Sequence, residues 1–77
     1  MGVTVLFFGQ LTDITSSASI DWPMVTDSDT LKQEIIQRFP PLASKTFRLA
    51  VGKQLITANT ILREGQTIAF LPPFSGG

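Results

Sequence analysis

Cysteine and histidine are both absent from these 77 residues. Without cysteine there is neither a disulfide framework nor a thiolate-bound metal. Without histidine the commonest general base and metal ligand at neutral pH is missing, and the usual activated nucleophiles go with it. Six acidic residues remain, spread along the chain with no spacing that pairs them. This inventory argues against autonomous catalysis and leads us to expect no bound metal or cofactor. Charge is scarce as well: charged residues are 16% of the chain and the formal net charge is zero. Lys32, Arg38, Lys45, Arg48, Lys53 and Arg63 are scattered, so no basic patch emerges and nucleic-acid binding by phosphate neutralisation has little support. No apolar run approaches the length needed to span a bilayer. The N-terminus also lacks the basic region, apolar stretch and small-residue cleavage site of a signal peptide. Together with the missing cysteines, this leads to the expectation of a cytoplasmic protein with no membrane partner.

What is present is apolar. Hydrophobic residues make up 43% of the chain, enough for a folded globule, and the length suits one domain near the size at which a single core becomes marginal. Val3 to Phe8, β-branched and aromatic, reads as a strand closed by Gly9. Gln10 to Ser19 is polar and small, with Leu11 and Ile14 as anchors for a short turn. Ser19 to Met24 alternates with Ile20 and Trp22 on one side, and Pro23 inside it predicts an edge strand. Thr26 with Asp29 three positions on resembles a capping box, and Leu31, Ile35, Ile36 and Phe39 form the apolar stripe of a helix over 27–39. Pro40-Pro41 ends it. Phe47 to Val51, Gln54 to Thr57 and Thr67 to Leu71 read as three more strands, the first two joined by a tight turn at Gly52-Lys53. Ile61 and Leu62 are expected to fill a core corner.

The predicted order is β-β-α-β-β-β with one helix, which covers one face of the sheet. This is an α+β chain with a mixed sheet of four to five strands, a β-grasp arrangement, in which the first and last strands are central parallel neighbours. Alternation places Val3, Val5 and Phe7 on one face of the first strand and Thr4, Leu6 and Phe8 on the other. Ile68 and Phe70 oppose Thr67, Ala69 and Leu71 in the last strand; Ile56 opposes Gln54 and Leu55 in the fourth. The sets containing Thr and Gln are taken as outer. They still carry Leu6, Phe8, Leu55 and Leu71. Single exposed hydrophobics mean nothing alone. Four converging on one uncovered face predict a protein-docking surface, with Phe8 and Leu71 where the chain leaves the sheet.

The chain closes with Pro72-Pro73-Phe74-Ser75-Gly76-Gly77. Pro72-Pro73 stops pairing and favours an extended course. Two final glycines have no Cβ and the widest backbone freedom, so this end is slim enough for a narrow cleft. The expected division is a domain over 1–71 and a flexible tail over 72–77 that delivers the α-carboxylate of Gly77, with Gly76 as its slender neighbour.

Val5-Leu6-Phe7-Phe8-Gly9-Gln10 near the start, and Leu62-Arg63-Glu64-Gly65-Gln66-Thr67-Ile68-Ala69-Phe70-Leu71-Pro72-Pro73-Phe74-Ser75-Gly76-Gly77 at the end, resemble the small, sulfur-carrying subunits of molybdopterin synthase. A Pro-Pro-x-Ser-Gly-Gly ending after an apolar strand separates this resemblance from the related thiamine-pathway carriers, which usually lack Pro-Pro. The resemblance implies a ubiquitin-like β-grasp fold and a terminal carboxylate activated by partners. An enzyme related to ubiquitin-activating enzymes, an adenylyltransferase and sulfurylase using ATP and Mg²⁺, adenylates the terminus, and a sulfur donor converts it to a thiocarboxylate. The large subunit takes the charged tail into its active site and transfers sulfur to a pterin precursor, forming the dithiolene. Relatives assemble as heterotetramers with two large and two small subunits. On this resemblance Gly77 bears the sulfur. Phe8, Leu55, Leu71, Pro72, Pro73, Phe74 and Ser75 contact partners, and the chain is not an enzyme on its own.

Two positions depart from the pattern. Relatives often carry a basic residue where this chain has Thr12, which puts an ion pair with the activating enzyme in question. The turn that often holds Asn holds Gly52, and both residue types tolerate a left-handed backbone. Two further readings stay open: a sulfur carrier for thiamine, cysteine or tRNA thiolation, and a ubiquitin-like interaction module whose Gly-Gly is never activated.

Overall fold

The computed structural model describes residues 2–73. Five strands form one mixed sheet: β1 (Gly2–Phe7), β2 (Ser19–Pro23), β3 (Arg48–Val51), β4 (Gln54–Ile56) and β5 (Thr67–Leu71). Their spatial order is β2-β1-β5-β3-β4. β1 and β5 run parallel at the centre, and every other pairing is antiparallel. A short helix α1 (Leu11–Thr15), the main helix α2 (Ser28–Arg38) and a 3₁₀ turn over Pro40–Ser44 complete the chain. The β-grasp expectation holds, and β2, which carries Pro23, lies at the sheet edge.

The core fills the space between the sheet and α2. Val3, Val5 and Phe7 of β1, Ile68 and Phe70 of β5, and Leu49 and Val51 of β3 meet Leu31 and Ile35 of α2. Alternation along β1 and β5 puts one set of side chains fully inside and leaves the other half-buried or exposed. Phe7 lies 5.3 Å from Phe70 and 6.0 Å from Phe39 between ring centroids, and Phe47 lies 5.2 Å from Phe70. Each buried ring contributes about 1.5–3 kcal/mol of transfer free energy. This aromatic block backs the last residues of both central strands, so the place where the chain leaves the sheet is rigidly supported.

The helix begins one residue later than expected. Asp27 is the cap, in extended conformation, accepting a 2.9 Å hydrogen bond from the Thr30 amide. Thr26 is outside the cap. The helix also ends one residue earlier than expected, at Arg38, with Phe39 as the cap whose N–H still bonds the Ile35 carbonyl before Pro40 breaks the ladder. Gly52 and Lys53 both have positive φ, at 57° and 72°, which makes the β3–β4 connection a two-residue turn of the primed kind.

Three expectations need correction. The stretch after Gly9 contains a helical turn, α1, with Leu11 and Thr15 buried and Ser16 in left-handed conformation at its end. Ile61 is 66% exposed, and Leu62 alone fills the core corner. Gln54 pairs with Val51 and Ile56 with Leu49, so Gln54 shares the inner face with Ile56 and only Leu55 of β4 is outer.

Candidate functional site

The last described residues, Pro72 and Pro73, leave β5 beside the loop that follows β1. Gly9 makes that departure possible. Its φ of +59° is left-handed, and a Cβ there would stand 2.9 Å from Cγ of Pro72. Any other residue would have both a strained backbone and a side-chain atom in the space Pro72 occupies. The loop is held around Gly9 by amide bonds from Leu11 to the Phe8 carbonyl and from Thr12 to the Gly9 carbonyl, both 3.2 Å. The Thr12 hydroxyl donates to that same Gly9 carbonyl at 2.8 Å. Thr12 therefore has a local structural task where a basic residue was expected from the resemblance. The Phe8 amide bonds the Phe70 carbonyl at 3.2 Å, extending the β1–β5 ladder by one rung to the tail root.

The uncovered face of the sheet can be read off the register. Leu6 of β1, Ala69 of β5, Ala50 of β3 and Leu55 of β4 are successive partners across four strands. This gives an apolar row with small residues in the middle and a leucine at each end. One residue beyond the last β1–β5 pair, Phe7 with Phe70, come Phe8 on one chain segment and Leu71 on the other, and the partner of Leu71 on β3 is Arg48. Phe8 is 45% and Leu55 49% exposed, while Leu6, Leu71 and Pro72 are half-buried and Pro73 is exposed. Moving the other way, Thr4 and Thr67 are partners and Asp21 of β2 lies opposite Thr4, so the face turns polar away from the tail.

The opposite pole is a polar clasp. Asp27 accepts from the Thr30 amide and, at 3.1 Å, from the Asn59 carboxamide. Hydrogen bonds from Thr30, then from Asn59, hold the Asp27 carboxyl below the usual aspartate range. The Asn59 carbonyl oxygen accepts from the Asp29 amide and the Ser28 hydroxyl, and Ser28 Oγ accepts from the Thr60 amide. The Gly65 amide closes this end onto the Gly2 carbonyl at 2.8 Å. An open groove of about 500 Å³ runs between α2 and the β3–β4 edge, lined in part by Asp29, Lys32, Phe47, Arg48, Ile56 and Asn59. A second, of about 460 Å³, follows Gly2–Thr4 and Asp21–Pro23. Neither groove includes Phe8, Leu71 or Pro72. Among the described residues no cluster of Asp or Glu is arranged to hold a metal ion, and no helix is long and apolar enough to cross a membrane.

Of the residues singled out from sequence, Phe8 and Leu71 each follow the last residues that pair β1 with β5, Pro72 packs against Gly9 next to Phe8 in the chain, Pro73 comes after it, and Leu55 is on the outer face two strands from β5. Phe74, Ser75, Gly76 and Gly77 lie outside the described residues. Sequence reasoning assigned no part in the site to Gly9, Ala50, Ala69 or Arg48. Alternation within β3 and β5 places Ala50, Ala69 and Arg48 on the outer face, although alanines carry no exposure signal of their own. Only the fold reveals the approach of Pro72 to Gly9.

Comparison with known proteins agrees with this geometry. The family model described as the ThiS family matches residues 5–77. A "Molybdopterin synthase sulfur carrier subunit" of Caenorhabditis briggsae is 30% identical over 83 residues, covering 100% of this chain and 99% of that protein. One of the same name from Mycobacterium tuberculosis is 30% identical, covering 97% and 96%. Among solved structures, a Pyrococcus furiosus protein described as molybdopterin converting factor, subunit 1, superposes with a TM-score of 0.81 at 18% identity, over 94% of this chain and 97% of that one. SAMP1 from Haloferax volcanii superposes at 0.77, also at 18% identity, over 97% and 98%. At such identities the two structures speak for the fold alone.

Proposed function

The chain belongs to the ThiS family, and on that premise we propose that it is a sulfur carrier serving as the small subunit of a molybdopterin synthase. The observation that carries this reading is the tail root. Pro72 is seated against Gly9 where β5 ends beside an apolar outer face, and the sequence runs on from there to Gly-Gly. Full-length similarity to two sulfur carrier subunits supports the same assignment.

In this reading the domain's residues bind and orient, and partners supply the chemistry. The Gly77 carboxylate is ionised at neutral pH and is a poor electrophile. An activating enzyme couples it to ATP, forming an acyl-adenylate and releasing pyrophosphate. A hydrosulfide-level nucleophile then attacks the acyl carbon. The acyl–oxygen bond breaks, AMP leaves, and the terminus becomes a thiocarboxylate. The large subunit covers the outer face at Phe8, Leu55 and Leu71, and guides Pro72, Pro73, Phe74 and Ser75 so that Gly76 and Gly77 enter its active site. The small chain is the sulfur-donating partner and holds no cofactor in this scheme.

The test is direct. The chain is incubated with its activating enzyme, Mg-ATP and a sulfur source, and its intact mass is measured. Replacement of one oxygen by sulfur, localised to Gly77 by fragmentation, is expected. No such shift with a competent enzyme would leave a non-covalent interaction module. A shift followed by delivery to some acceptor other than the pterin precursor would assign the chain to another sulfur-transfer pathway.

A further inference from the structure

Arg48 stands in an unusual place. It is exposed, it opens β3, and its register partner is Leu71, the residue before Pro72-Pro73. Pleat alternation puts it on the outer face, because Leu49 and Val51 point inward. The other outer positions of the five strands, read from the same register, are Gly2, Thr4, Leu6, Ser19, Asp21, Pro23, Ala50, Leu55, Thr67, Ala69 and Leu71. Arg48 is the single cation among them, and the single anion, Asp21, belongs to β2, three strands away. Among the described residues, no side-chain hydrogen bond engages Arg48. At the start of β3 Arg48 also borders the groove that Lys32 and Asp29 line from α2, where Lys32 lies 5.6 Å from the centre of the Phe47 ring; no hydrogen bond joins Arg48 to Asp29.

A guanidinium in this position constrains whatever covers the face. A partner that packs on Phe8, Leu71 and Leu55 and takes up the tail removes water from Arg48 at the same time. A charge desolvated without an acceptor opposes binding strongly, and the fixed planar fork of arginine matches a carboxylate with two parallel hydrogen bonds. Resting on the function proposed above, we infer that Arg48 is a specificity residue at the root of the tail, and that the large subunit presents an aspartate or glutamate carboxylate opposite it within an otherwise apolar patch. The apolar row supplies contact area, and the ion pair fixes which way round the tail enters. A partner that is apolar here without an acid is rejected by the unpaired charge.

The experiment measures Kd between the full chain and its large subunit by calorimetry over a range of salt concentrations, for wild type, Arg48→Gln, Arg48→Lys and Arg48→Glu. Arg48 is exposed and outside the core, and matched urea midpoints verify that each variant folds. Arg48→Gln is expected to weaken binding at least about tenfold and to flatten the salt dependence. Arg48→Lys should recover only part of the loss, and Arg48→Glu should be weakest. Reversing one acid of the large subunit's docking patch to lysine should rescue Arg48→Glu and no other variant. Unchanged affinity of Arg48→Gln, or failure of every acid reversal to rescue Arg48→Glu, would overturn the inference while leaving the proposed function standing. Absence of binding by the wild type would instead overturn the function itself, and the inference with it.

Discussion

Gly9 and Gly52 separate backbone strain from crowding at the tail. Both are left-handed, at φ +59° and +57°, yet a Cβ on Gly52 would meet nothing within 4 Å while one on Gly9 would meet Pro72 at 2.9 Å. Alanine at either position should cost about 1–2 kcal/mol in a urea unfolding titration, because an L-residue is strained there. Only Gly9→Ala should also slow sulfur transfer, since only that Cβ displaces the first residue of the tail. Equal transfer rates for the two variants would show that the seat of Pro72 is unimportant. Phe8 and Leu71 test the neighbouring surface. Phe8→Asp places a charge on a side chain that is 45% exposed, so the fold should survive while affinity for the large subunit falls about tenfold or more in calorimetry. Phe8 and Leu71 were legible from alternation alone, because a polar partner set, Thr4 and Thr67, marked the same face. Gly9 was legible only as a strand terminator, because its packing partner is more than sixty residues away in sequence.

The helix α2 and the loop before β5 share one polar junction, and this junction is where pH should act. Asp27 has its carboxyl held below the ordinary aspartate range by Thr30 and Asn59. A folded pKa below the unfolded one means that the ionised group adds stability above the unfolded value, near pH 4, and loses it as pH falls through the lower folded value. Wild type should therefore lose stability on acidification below about pH 4, and Asp27→Asn should show a shallower acid limb in urea midpoints recorded across that range. Identical acid limbs would remove Asp27 from the account. Legibility at this scale follows length and locality. α2 and the two central strands were readable because each has enough positions to show its period. The helix start slipped by one residue because Thr26 and Asp27 both suit a cap, and Asn59, 32 residues from Asp27, favours the second. The turn α1 has no side-chain cap and only five residues, so burial of Leu11 and Thr15 organises it where propensity is silent. In β4 Gln54 and Ile56 are two positions apart, so alternation by itself puts them on one face, and register against β3 makes it the inner one.

At the scale of the whole molecule, the fold separates holding from delivering. Core, aromatic block and polar clasp fix the sheet; the outer face and Pro72 lie together at one end of it; the Gly-Gly sequence follows. Removing Gly76 and Gly77 leaves every described contact in place, so the truncated chain should unfold at the same urea concentration as wild type and bind the large subunit with most of its affinity. It should give no thiocarboxylate and no dithiolene product. Gly77→Ala is the finer probe. A single methyl keeps the acyl terminus and its charge but widens the end that, in the proposed function, enters a cleft, so docking should persist while transfer falls sharply in a single-turnover assay. A variant that transfers sulfur at the wild-type rate would mean that the cleft does not discriminate by width, and that the two glycines serve some end other than slimness. Loss of docking along with transfer would place the main binding energy in the tail and reduce the apolar face of Leu6, Phe8, Leu55 and Leu71 to an accessory surface. A division of labour between docking face and tail requires the remaining outcome: an intact fold, a formed complex and a stalled reaction.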